Sequence, residues 1–114
     1  AIRAQEHADI NLITLLVAAT QPGLQVKNTN GKWININSNP GELIINTGDM
    51  LQECSNHYFP STIHRVMNPK ESNKHNARLS MPVFIHPSDK IVLSEKYTAK
   101  SYLEERLKEI GLKQ

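Results

Sequence analysis

The chain has a single cysteine, Cys54, so no disulfide can close within it, and a reducing, cytoplasmic compartment is the expectation. Aromatic residues are scarce at 5%, which argues against a base-stacking surface. No run of lysine and arginine is dense enough to follow a phosphate backbone, and the net charge is only +2. Nucleic acid is therefore not an expected partner. No apolar stretch reaches the roughly 20 residues that cross a bilayer, so a membrane is not expected either. Arg3, Glu6, His7 and Asp9 interrupt any apolar start of the signal-peptide kind. What remains is 114 residues, 39% apolar and 21% charged. That composition folds as a globular protein, and the length suits one domain, 1–114.

Most of the chain alternates short apolar segments with turn residues. Ile13 to Val17 is brief and partly β-branched, which suits a buried strand. Leu24-Gln25-Val26 and Trp33-Ile34-Asn35-Ile36 alternate apolar and polar residues around Asn30-Gly31, a pair that tolerates the positive φ of a hairpin turn. Pro22-Gly23 and Pro40-Gly41 each suit a type II turn, the second leading into Leu43-Ile44-Ile45. His64 to Met67 and Arg78 to Ile85 add further strands, with Pro82 requiring a sheet edge or a bulge. Many short strands with regular turns predict a β-sandwich or barrel.

The end of the chain changes character. Ser101-Tyr102-Leu103-Glu104 has capping-box spacing, with Ser101 as N-cap. Leu103, Leu107 and Ile110 recur as one helical stripe to be buried against the sheet. Gly111 supplies a stop.

The residues that carry chemistry are His7, Asp9 and His64, followed by Arg78 and Ser80. On a strand, residues two apart share a face, so His7 and Asp9 can aim at one point. By itself a His-x-Asp pair is more often a surface ion pair. His64 adds a third ligand from a distant strand. Two imidazoles and a carboxylate can take one face of an octahedral Fe(II) and leave the other open. Arg78 and Ser80 again share a face, and guanidinium with hydroxyl can hold a carboxylate. His57, His75 and His86 read as loop or strand-end residues.

In order along the chain, His7-Ala8-Asp9, Leu12-Ile13-Thr14-Leu15-Leu16, Gly23-Leu24-Gln25-Val26, Trp33, Pro40-Gly41, Asn46-Thr47-Gly48-Asp49-Met50-Leu51, Ser61-Thr62-Ile63-His64-Arg65-Val66 and Arg78-Leu79-Ser80-Met81-Pro82 resemble the C-terminal half of isopenicillin N synthase-like Fe(II)/2-oxoglutarate oxygenases. The tail from Tyr97 to Leu112 is similar to the ending of bacterial members. The resemblance implies a mainly β fold, a double-stranded β-helix (jelly-roll) core with a C-terminal helix. It implies Fe(II) held by His7, Asp9 and His64, 2-oxoglutarate anchored by Arg78 and Ser80, and O2 as oxidant. No catalytic residue is implied beyond the metal centre, and Leu15, Trp33 and Asp49 read as structural. The implied activity is oxidation of a C–H bond in a small organic substrate, with formation of succinate and CO2. One departure is His57, where the family commonly has glycine.

Two alternatives stay open. The same iron site could serve an oxidase that does not consume 2-oxoglutarate, as isopenicillin N synthase itself does. The chain could instead be a truncated jelly-roll without catalysis. The candidate ligands begin at position seven, so a fragment of a longer chain is expected. A sheet edge left open by a missing half could pair two copies into a homo-oligomer.

Overall fold

The computed structural model describes residues 2–17, 22–68 and 81–112. These contain strands β1 (Ile2–His7), β2 (Ile13–Val17), β3 (Leu24–Lys27), β4 (Trp33–Asn35), β5 (Leu43–Thr47), β6 (His64–Met67) and β7 (Met81–Ile85). Helix α1 (Asp49–Cys54) lies between β5 and β6, and helix α2 (Ala99–Glu109) follows the strands. The strands form two antiparallel sheets, ordered β1-β6-β3-β4 and β5-β2-β7. This is the mainly β jelly-roll architecture with a C-terminal helix expected from the resemblance.

The alternation of β2 decides what faces the interior. Register pairs Thr14 with Asn46 and Phe84, and Leu16 with Ile44 and Pro82. These residues line one wall of a cavity of about 410 Å³. Ala4, Leu24, Val26 and Val66 of the other sheet line the opposite wall. The outer side of β5-β2-β7 carries Val17, Leu43, Ile45, Met81 and Val83, each about half exposed. Pro82 sits on β7, an edge strand, where its missing N–H costs no ladder bond.

The turns follow the sequence closely. At Asn39-Pro40-Gly41-Glu42, the Glu42 N–H donates to the Asn39 carbonyl at 3.0 Å, and Gly41 adopts a φ of 87°. In the β3–β4 hairpin only Gly31 takes positive φ; Asn30 instead donates its N–H to the Asn28 side chain. Gly23 is needed for space as well as for conformation, because a Cβ there would collide with the Met67 carbonyl of β6.

Helix α2 begins one turn earlier than the capping pattern predicts. Thr98 is the N-cap and Ser101 occupies N3, each side chain accepting from the other's backbone N–H, at 3.1 and 3.0 Å. Thr98 is extended and so can close this box, whereas Ser101 is already helical. Leu103 and Leu107 are partly buried as expected, but Ile110 stays exposed, and Tyr102 joins Leu103 against the buried cluster. Met50, Leu93 and Ala99 form the buried cluster at this end, packed by Ile10, Leu12 and Tyr97. Gly111 ends the helix at φ 81°, as expected.

Candidate metal centre

Two strands of one sheet bring the imidazoles together. His7 closes β1, His64 opens β6, and the two are register partners. Their ring centroids stand 4.3 Å apart. Asp9 is not on the strand as the His-x-Asp spacing suggests, because β1 ends at His7. It lies in the connection to β2, and it still converges with the histidines. Its Oδ1 is 3.7 Å from Nε2 of His7 and 3.7 Å from Nε2 of His64. The three donor atoms lie within 4.8 Å of one another. Among the described residues, no other trio of such groups was found close enough to hold an ion.

The orientation of the rings suits a metal. Nδ1 of His7 is 2.8 Å from the Gln5 carbonyl, and Nδ1 of His64 is 3.0 Å from the Thr62 carbonyl. A carbonyl only accepts, so each Nδ1 carries a proton and each Nε2 is the ring atom turned toward the centre. Burial pushes the Asp9 carboxyl up, but hydrogen bonds from Thr14 and Asn46 and the nearby His64 and His7 outweigh that effect. Its pKa is lowered, and it stays ionised. Two imidazoles and one ionised carboxylate facing an open cavity fit an Fe(II) that needs free positions.

Asp9 has further support. Its Oδ2 accepts from Thr14 Oγ1 at 2.5 Å and from Asn46 Nδ2 at 3.0 Å. Its backbone carbonyl accepts from the Asp49 N–H at 2.8 Å. Sequence reasoning missed Thr14 and Asn46, since their approach to Asp9 depends on register between β2 and β5. Arg78, Ser80 and His75 lie outside the described residues. His57 is exposed in the turn after α1, and His86 follows β7; neither joins the ligand cluster.

Known proteins place this arrangement. Residues 1–87 match the sequence model of the 2OG-Fe(II) oxygenase superfamily. The chain is 41% identical over 88 residues to the protein DMR6-LIKE OXYGENASE 2 of Arabidopsis thaliana, covering 77% of this chain and 24% of that one. It is 41% identical to flavanone 3-dioxygenase 2 of Oryza sativa subsp. japonica, over 76% of this chain and 24% of the relative. The chain thus spans about a quarter of the curated relatives it matches. Among crystal structures, one described as an oxygenase from Shewanella oneidensis superimposes with a TM-score of 0.91 at 58% identity, covering 98% of this chain and 41% of that one. A full-length Neurospora crassa protein in complex with alpha-KG (2-oxoglutarate) and thymine superimposes at 0.83 with 32% identity, covering 96% and 38%. Fe(II) and 2-oxoglutarate are typical of this family. Sequence match, jelly-roll sheets and the His-Asp-His cluster agree: the chain belongs to the 2OG-Fe(II) oxygenase superfamily.

Proposed function

We propose that this chain forms the iron-binding jelly-roll of a dioxygenase that oxidises a C–H bond of a small organic substrate, converting 2-oxoglutarate to succinate and CO2. In this reading His7, Asp9 and His64 hold Fe(II), and Arg78 with Ser80 holds the distal carboxylate of 2-oxoglutarate. The observation that carries it is the convergence of three ligand atoms at the wall of an intersheet cavity. Bound there, Fe(II) supplies the electron transfer without which triplet oxygen reacts slowly with closed-shell carbon. The protein's part is to bind and to orient. His7 and His64 would turn their Nε2 atoms to the metal, and Asp9 would supply negative charge. Leu16, Leu24, Val26, Ile44 and Val66 give the cavity apolar walls that limit water.

The cavity volume of about 410 Å³ falls within the range of small-molecule sites. A relative named for flavanone and a neighbour bound to thymine support a small organic substrate. Those proteins are much longer than 114 residues, and activity of this chain alone is part of the proposal. An anaerobic titration with Fe(II) and 2-oxoglutarate tests it. A visible charge-transfer band that disappears in His64→Ala is expected. A well-folded chain without the band would overturn the reading.

A further inference from the structure

The Asp9 carboxylate is divided between two environments. Oδ1 faces the two histidines at 3.7 Å, whereas Oδ2 accepts hydrogen bonds from Thr14 and Asn46. Thr14 and Asn46 are themselves a register pair of β2 and β5. One sheet thus supplies a cross-strand pair of imidazoles and the other a cross-strand pair of donors. Asp9 lies in the connection between them.

The polarity of the Thr14 bond is set from behind. Asn11, only 2% exposed, donates Nδ2 to Thr14 Oγ1 at 3.1 Å and to the Ile13 carbonyl at 2.9 Å. Thr14 is 4% exposed, so water does not compete for its hydroxyl. With Asn11 donating to it, the Thr14 proton goes to Asp9 at 2.5 Å, in preference to Asn11 Oδ1 at 3.5 Å. A carboxylate oxygen that accepts two hydrogen bonds has used both its lone-pair directions.

We propose that Thr14 and Asn46 are positioning residues that hold Asp9 to one-oxygen coordination. The inference rests on the iron reading above. An octahedral ion offers six positions. Three would go to His7, Asp9 and His64, and a chelating 2-oxoglutarate would need two. A second oxygen from Asp9 would take the last, which oxygen requires. By engaging Oδ2, Thr14 and Asn46 keep that position free.

Mn(II) titration of the full chain, with water-proton relaxivity as the readout, tests this without turnover. Relaxivity follows the number of metal-bound waters, which a swing of Oδ2 onto the ion reduces. Thr14→Val and Asn46→Ala are expected to weaken Mn(II) binding about 10- to 100-fold, the usual effect of losing such a support. Relaxivity per bound ion should fall by about a third, from three open positions to two. Thr14→Ser keeps the hydroxyl and should restore both. Asn46 lines the cavity, so Asn46→Ala empties no core and decides the matter if Thr14→Val does not fold. Folded variants with unchanged affinity and relaxivity would overturn the inference. A wild-type chain that binds no Mn(II) would overturn the iron reading, and this inference with it.

Discussion

Tyr102 donates its hydroxyl to Asp49 at 3.0 Å, joining α2 to the start of α1 across 53 residues. The other Asp49 oxygen accepts from Ser61 at 2.6 Å, and its N–H donates to the Asp9 carbonyl. Asp49 therefore holds both segments that lead to metal ligands. Burial raises the Tyr102 pKa, and the Asp49 charge and hydrogen bond raise it further. A raised value means a stabilisation present in full below the ordinary tyrosine pKa of 10.0 and lost as pH climbs toward the folded value. Tyr102→Phe should cost about 2 kcal/mol at neutral pH, the scale of a hydrogen bond to a charged group. It should also flatten the stability profile above pH 10 in urea denaturation. An equal alkaline decline in both proteins would refute the link.

Asp9 makes the opposite prediction for the metal-free chain. Its lowered folded pKa stabilises the chain above the ordinary value of 3.8, and that stability is lost as pH falls toward the folded value. Asp9→Asn removes this dependence. Below pH of about 4 the wild type should lose stability more steeply than the variant. Parallel profiles would show that the Thr14 and Asn46 hydrogen bonds contribute nothing to the ionised form.

Arg78 is proposed to act on the co-substrate alone. Arg78→Ala should weaken 2-oxoglutarate binding about 10- to 100-fold, as expected for a lost charged hydrogen bond. Fe(II) affinity should stay near wild type, because no metal ligand changes. Isothermal titration of each in turn checks both halves, and an unaltered 2-oxoglutarate affinity rejects the role.

His57 has a φ of 64°, and its N–H donates to the Gln52 carbonyl at 2.8 Å, closing the end of α1. Left-handed backbone costs a residue with a Cβ about 1 kcal/mol or more, and glycine avoids most of it. His57→Gly should raise the urea midpoint, with a gain of about 1 kcal/mol and an unchanged slope. A lower midpoint would mean that the imidazole makes a contact of greater worth.

Gly48 is constrained for another reason. Its φ is ordinary, but an added Cβ would overlap the carbonyl and side-chain oxygens of Asn11. Gly48→Ala should cost about 3 kcal/mol, since backbone has to move. Because Asn11 supports Thr14, Mn(II) affinity should fall as well. A stable variant with intact affinity would separate Asn11 from the site.

The local patterns in the sequence served where structure is local. A short apolar run located β2, alternation located β3 and β4, and Pro40-Gly41 and Gly111 located a turn and a helix end. The Thr98 box went unseen because Ser101 has the same spacing to Glu104. Helix α1 left no periodic signal, being only six residues long. His7, Asp9 and His64 could be named from residue type and resemblance. Their support could not, because Asn46 reaches Asp9 across 37 positions and Tyr102 reaches Asp49 across 53. Such contacts exist only once register and packing are set.

Among the described residues, β1 pairs with β6 alone. Its last residue is His7, and the first residue of β6 is His64. An ion gripping both imidazoles would staple β1 to its neighbour and close a long loop of chain. In a chain with one cysteine, that ligation would be a reversible cross-link where no disulfide within the chain can form. Loss of the ion would then register first as fraying of β1, seen as faster amide exchange from residues 4–7, before the rest of the fold responds.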